Sequence, residues 1–353
     1  CEWDTQLAGM AGVADSGNPI PDRTLASILE RRVALKGPLT TPVGSGYRSV
    51  NVALRREFEL YANIRPAKTI LPGRYDGIDI VLVRENLEGF YTGIEHWIST
   101  KDDPRAAGVT TGVTTRYGCE RIIRYAFEYA LERGRKKVTI VHKANILKMV
   151  SGLFLEVGKA VAEEYRGRIE STDMIVDNCA MQLVVRPEQF DVIVTTNLFG
   201  DILSDEISGL VGGLGLAPGA NIGTTASIFE AVHGSAPDIA GKGVANPAAQ
   251  MLAAAMMLDH IGEPDAGGRL RHDDAGFLGQ PLDGLGKAQA VGQHHELEDV
   301  AVLAGGEVEP RALVVVDEKG GRPLLLERRE PLELTARALE RHLARHHLAD
   351  GQP

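Results

Sequence analysis

Cysteine is scarce. Cys1, Cys119 and Cys179 are scattered through 353 residues with no CxxC pair. That spacing excludes a disulfide framework and a zinc site, and it points to a reducing compartment. No apolar run approaches the ~20 residues of a membrane span, so no membrane partner is expected. No signal-peptide pattern opens the chain, and a cytoplasmic location is expected. The chain begins at Cys1 in a strand-like "EWDTQLAG", and residues are expected to precede it. Basic charge is also short. The formal net charge of −10 argues against a nucleic-acid partner but does not exclude a local basic pocket for a small acid. After Phe277 there is no aromatic residue, Ile, Met or Cys, while six of the ten histidines lie beyond Arg269. A core there would rest on Leu and Val alone.

The first two-thirds of the chain alternates two kinds of pattern. "GIDIVLV" (77–83), "KKVTIVHK" (136–143) and "FDVIVTTN" (190–197) read as buried strands, short and β-branched. The segments 115–135 and 146–165 carry apolar residues at helical spacing, the first stopping at Gly134. Strands alternating with helices predict an α/β protein, long enough for two lobes. In the tail, 311–331 reads as a hairpin turning at Gly320-Gly321, and 332–348 as an amphipathic helix.

The segment "NLFGDILSDEISGLVGGLGLAPGANIG" (197–223) puts Asp201 and Asp205 on one helical face. They are either a capping acid with a solvated neighbour or two arms of a site. A preceding apolar strand, a third acid at Asp177 after another apolar patch, and Gly209, Gly212, Gly213 and Gly215 favour the site. Three carboxylates without His or Cys suit Mg²⁺ or Mn²⁺ rather than zinc. A stretch from 48 to 66 offers Ser49 as an N-cap, with Asn51, Arg55 and Arg65, and Arg84 ends a strand. Any one arginine is ordinarily a surface residue, but the set matches a polycarboxylate, since each guanidinium fork fits one carboxylate. Tyr91 is either a half-buried aromatic or part of the site. Lys143, followed by Asn145, is either a surface cap or a buried lysine with a lowered pKa.

Taken together these motifs, with "VHKANILKMVSGLF" and "IFEAVHGSAPDIAGKGVANPAAQMLAAAMML", resemble the β-decarboxylating dehydrogenases, the family of isocitrate and 3-isopropylmalate dehydrogenases. The resemblance runs from about Glu2 to Glu263. It implies a two-lobed, three-layer α/β fold that is not a Rossmann fold. Residues 1–60 and 212–353 would form the large cofactor-side domain, atypical from about 268, and 61–211 a small domain with the dimer interface and clasp. The family's first strand and its Gly-Asp-Gly-Ile-Gly turn are absent before Cys1, and the tail does not resemble the family's closing segment.

"RSVN", with Ser49 and Asn51, resembles the isocitrate branch, where this pair meets the substrate's γ-carboxylate. Homoisocitrate and 3-isopropylmalate dehydrogenases, and a non-catalytic regulatory subunit, are the alternatives. Where the family's NADP enzymes carry Lys and Tyr after "HGTAP", this chain has Asp238 and Ile239. An Asp accepts hydrogen bonds from a ribose 2′-OH and repels a phosphate, so NAD is expected. The resemblance also places His233, Gly234 and Asn246 at the adenosine and Thr41 near the nicotinamide. It implies oxidative decarboxylation of isocitrate on a divalent metal held by Asp177, Asp201 and Asp205. Lys143 and Tyr91 would be the proton-transfer residues, and Arg55, Arg65 and Arg84 would hold the carboxylates. Lys143 and Asp177 would come from the neighbouring subunit of a homodimer.

Overall fold

The computed structural model describes residues 3–40, 47, 49–70, 75–239, 242, 245–278 and 300–304, with side chains as far as Arg271. The expected hairpin and helix of the tail lie outside the described residues. The strands are β1 (Asp4–Gln6), β2 (Arg32–Lys36), β3 (Ala62–Lys68), β4 (Asp79–Glu85), β5 (Gly89–Ile98), β6 (Ala107–Val113), β7 (Lys137–His142), β8 (Glu170–Ile175), β9 (Val192–Thr195), β10 (Pro218–Ile222), β11 (Ser227–Ala231) and β12 (Val300–Ala304). The helices are α1 (Gly9–Ser16), α2 (Asp22–Arg31), α3 (Val50–Glu57), α4 (Arg116–Glu132), α5 (Val150–Glu164), α6 (Val176–Val185), α7 (Asn197–Leu210), α8 (Ala248–His260) and α9 (Pro264–Leu278). No helix among the described residues is long and apolar enough to cross a membrane.

Ten strands form one mixed sheet in the order β1-β12-β2-β11-β10-β3-β4-β9-β7-β8, and β5 and β6 form a separate antiparallel pair. This is the expected α/β class. The β4–β9–β7–β8 stretch is parallel, so the C-terminal ends of these four strands lie along one edge. Pro66, inside β3, sits past the last residue that pairs with β10, Ile64. Its missing N–H therefore costs the sheet no bond on that side.

Side-chain alternation builds the layers. Val81 and Val83 of β4 pack with Ile122, Phe127 and Phe154 of α4 and α5. The intervening Ile80 and Leu82 pack with Leu183, Leu203 and Ile207 of α6 and α7. On β9, Val192 and Val194 go to the first cluster and Ile193 to the second. A strand buried on both faces needs helices on both, which makes three layers. A further cluster joins Ile28, Ala34, Leu54, Phe58 and Ile228 beneath α2 and α3. Ala34 and Ile228 alternate with Val33 and Phe229 of the first cluster. The α2/α3 cluster and the α6/α7 cluster thus share one face of the sheet.

Local signals explain several boundaries. Ser49 caps α3 through its hydroxyl, which accepts from Val52 N–H at 3.4 Å. Thr115 caps α4 through Gly118 N–H. Beyond α4, Gly134 adopts φ 64°, a left-handed conformation that suits glycine and stops the helix. Cys119 and Cys179 are both free and buried.

Candidate active site

Between the two clusters that share a face, the sheet changes character. Asn63 and Arg65 alternate with Ala62 and Ile64 on β3, Asn221 follows Ala220 on β10, and Glu230 follows Phe229 on β11. All four polar side chains are buried, as are Lys36, Arg55 and Arg84. They form one connected network. Glu230 meets Lys36 Nζ at 2.6 Å and Arg55 Nη2 at 3.7 Å, and it accepts from Asn221 Nδ2 at 2.7 Å. Asn63 and Asn86 both donate to Asn221 Oδ1 at 3.0 Å. Asn63 in turn accepts from Arg65 Nε at 2.7 Å. Burial alone would raise the Glu230 carboxyl, but Lys36 and Arg55 outweigh it and hold it down at about 2.

Neither Asp201 nor Asp205 caps α7, and both meet arginines, Asp201 partly buried and Asp205 about half exposed. Asp201 Oδ1 takes Arg84 Nη1 at 2.5 Å and Arg65 Nη2 at 3.3 Å, and its Oδ2 accepts from Tyr91 OH at 2.6 Å. Asp205 meets Arg65 Nη1 at 3.4 Å, and Ser204 accepts from the same nitrogen at 2.6 Å. Arg84 is fixed by Asn197 Oδ1 at 3.1 and 2.7 Å. Gly200 makes this possible: a Cβ there would stand 2.5 Å from Arg84 Cγ. Burial pushes Asp201 up, yet Arg84 and Arg65 win and lower it. Burial lifts Asp205 against the pull of Arg65. Burial lowers Arg84 to about 9, still charged at neutral pH, and it raises Tyr91 with help from Asp201, keeping the phenol protonated. Of the expected glycines, Gly212 and Gly213 take φ of 122° and 107° just beyond α7. They turn the chain at the end of α7, away from its acidic first turns.

Four buried cations, Lys36, Arg55, Arg65 and Arg84, thus face three carboxylates, Glu230, Asp201 and Asp205. Asn51 Oδ1 and Arg55 Nε are buried without a partner. Both residues line a cavity of about 10 Å³ with Lys36, Asn221 and Glu230. Uncompensated cationic donors are costly to bury and suit an anionic ligand.

Lys143 follows β7 and Asp177 opens α6 just after β8. The Lys143 ammonium pairs with Asp177 Oδ1 at 2.5 Å, its side chain about a quarter exposed, and this pairing lowers the largely exposed Asp177 carboxyl. Asn145 is exposed in the turn beyond. β8 lies two strands from β9, whose end launches α7. Strands ~4.8 Å apart therefore keep Asp177 roughly 10 Å from the start of α7 along the edge. Among the described residues no three His, Cys, Asp or Glu side chains come together to hold a metal. The donors are all oxygen and fit Mg²⁺ or Mn²⁺, but one chain groups only Asp201 with Asp205.

The other expected residues lie around β11. His233 and Gly234 follow it, and Asp238 and Ile239 form a short turn of 3₁₀ helix. Asn246, one residue before the Pro247 N-cap of α8, accepts from Ala248 N–H at 3.0 Å. The segment is tied to the neighbourhood of β2 by Thr40 and Ser235 hydroxyls at 2.7 Å. Thr41 lies outside the described residues. Sequence reasoning missed Lys36, Glu230, Asn63, Asn221, Asn197 and Ser204. The signal for four of them was a polar residue alternating with apolar ones on a strand that is central in the sheet.

Comparisons with known proteins show the family and the fold. The model of the isocitrate/isopropylmalate dehydrogenase family matches residues 1–273. A homoisocitrate dehydrogenase of Methanocaldococcus jannaschii is 47% identical, over 75% of this chain and 78% of its own length. Subunit 2 of a mitochondrial NAD isocitrate dehydrogenase of Schizosaccharomyces pombe is 49% identical, over 71% of this chain and 66% of its own. An NADP isocitrate dehydrogenase of Thermus thermophilus is 53% identical over 69% of this chain, which spans 49% of that relative. The crystal structure of an isocitrate dehydrogenase from Methylococcus capsulatus superposes with a TM-score of 0.75 at 59% identity, covering 79% of this chain and 81% of that one. The three-layer fold, the arginine–carboxylate seam and these matches lead to one conclusion: the chain belongs to the isocitrate/isopropylmalate dehydrogenase family.

Proposed function

We propose that this protein catalyses the NAD-dependent oxidative decarboxylation of isocitrate to 2-oxoglutarate and CO₂, with Mg²⁺ or Mn²⁺, as a homodimer with shared active sites. The observation that carries the reading is the excess of buried cation over carboxylate around Arg55, Arg65 and Arg84. Such a seam attracts a polycarboxylate and orients it through bidentate contacts. Asp201 and Asp205 of one copy and Asp177 of another would hold the divalent ion. That ion, when bound, supplies Lewis-acid stabilisation of negative charge on oxygen. NAD, held around His233, Gly234, Asp238, Ile239 and Asn246, supplies the hydride acceptor.

The chain's own residues do the rest. Arg55, Arg65 and Arg84 hold the carboxylates, with Ser49 and Asn51 at the far one. Lys143, directly or through water, takes the proton of the substrate hydroxyl. Tyr91, kept neutral, returns a proton to carbon after CO₂ leaves. Exposed apolar side chains support a second copy: Trp97 and Ile98 on β5, Ile146 and Met149 beside Lys143, and Ile202 on α7. We place the domain boundaries near residues 60 and 211.

The relatives include NAD, NADP and homoisocitrate enzymes by name, so substrate and cofactor rest on side chains. Asp238 favours a ribose 2′-OH over a 2′-phosphate. The polar Ser49 and Asn51 favour the shorter acid, although one methylene discriminates by only ~10- to 200-fold. NADH formation with isocitrate, Mn²⁺ and NAD⁺, against homoisocitrate, 3-isopropylmalate and NADP⁺, tests this. The expected result is a kcat/KM for isocitrate with NAD⁺ at least about tenfold above every other pairing. Preference for isopropylmalate refutes the substrate, preference for NADP⁺ refutes the role of Asp238, and silence with all of them favours a regulatory subunit.

A further inference from the structure

His142 ends β7 one residue before Lys143 and is 5% exposed. Its Nδ1 faces the backbone N–H of Ala144 at 3.1 Å. An amide N–H only donates, so Nδ1 must present its lone pair and the ring proton must sit on Nε2. Nε2 lies 3.2 Å from Asp173 Oδ2 on β8, the acceptor this tautomer needs. Asp173 is itself held by Lys159 Nζ of α5 at 3.2 Å. On the other side of the same loop, Lys143 N–H donates to the buried Ser151 Oγ at 2.6 Å. Two consecutive peptide N–H groups, those of Lys143 and Ala144, are thus fixed by two buried side chains where the chain leaves the sheet.

We propose that His142 is a positioning residue for Lys143. Asp173 selects the tautomer, and the Nδ1 lone pair fixes the peptide that aims the Lys143 ammonium. The inference rests on the reading of Lys143 as the group that takes the substrate proton. A histidine that merely filled the core would matter by its bulk; here the acceptor at Nδ1 matters.

Substitution separates the two. His142→Ala removes ring and acceptor. His142→Gln places its amide near Nε2 and leaves Ala144 N–H unpaired. His142→Asn restores an acceptor close to the position of Nδ1. In the full-length protein, kcat with isocitrate is expected to fall about 10- to 100-fold in His142→Ala and His142→Gln, since small misplacements of a reacting group cost that much. The KM for isocitrate stays within about twofold, because the arginines that hold the acid are untouched. His142→Asn recovers to within about threefold of the parent kcat.

A readout without turnover accompanies these. The rate at which acetic anhydride modifies Lys143, read by mass spectrometry against exposed Lys68, shifts at least about threefold in His142→Gln and returns in His142→Asn. If the parent turns over none of the acids, the proposed function fails while the labelling ratio still decides this inference. Should His142→Ala not fold, the Asn and Gln variants carry the comparison. Equal kcat and equal Lys143 labelling in those two variants overturn the proposal.

Discussion

The two faces of the sheet at β3, β10 and β11 are equally buried and opposite in chemistry. One presents Ala62, Ile64, Ala220 and Phe229 to the helices above. The other presents Asn63, Arg65, Asn221 and Glu230. The apolar face releases free energy when it leaves water. The polar face must recover a desolvation cost through ion pairs that at best roughly balance it. A chain selected for stability alone would fill both faces alike. The difference teaches that the polar face is retained for what it binds, and that loss of activity should separate the two faces.

The largest expected effect tests the polar side. Arg65→Met should lower kcat/KM about 10³-fold or more, roughly 4 kcal/mol of lost stabilisation of a carboxylate in the transition state, and should also cost stability, since Asn63, Ser204 and Asp205 lose their partner. On the opposite face, Phe229→Ala should cost about 3 to 4 kcal/mol in urea unfolding, while the folded enzyme keeps its kcat. If both variants lost activity equally, the contrast between faces would be wrong.

The next effect lies in acid. Glu230 is depressed to about 2 from an ordinary 4.5, burial being outweighed by Lys36 and Arg55. A lowered carboxyl stabilises the fold above about pH 4.5, and that contribution is lost as pH falls toward 2. Glu230→Gln should therefore be less stable than the parent by about 3 kcal/mol at pH 6, and the gap should narrow as pH is lowered through 4. Denaturant titrations at several pH values measure it; a gap independent of pH would show that the charge is not what matters. Smaller still, Gly200→Ala should cost about 1 to 3 kcal/mol, because its Cβ overlaps Arg84. Its loss of activity should exceed its loss of stability, as Arg84 is pushed off Asn197.

What was legible in the sequence follows the same division. Apolar strands announce themselves: the run 77–83 lies on β4 to within two residues, and the helix ending near Gly134 ends at Glu132. Asp201, Asp205, Arg65, Arg84 and Tyr91, singled out one by one, do meet. Glu230 was not legible, because in "SIFEAV" it takes the slot that a solvent-facing residue takes on any half-exposed strand. Only the three-dimensional order, which puts β11 and β3 inside the sheet, shows that the slot is buried. Lys36 was hidden for the same reason. The pairing of Lys143 with Asp177 depends on β7 and β8 being neighbours, which local pattern cannot specify.

The two-strand separation of Asp177 from the foot of α7 has a genetic consequence. If each catalytic centre borrows Lys143 and Asp177 from a companion chain, defects in the lender and in the borrower belong to different chains and can complement. Mixing unfolded Lys143→Met and Arg84→Met proteins and refolding them together would assemble hybrids in which one centre inherits both intact halves. Two dead preparations would then yield about a quarter of the parental activity.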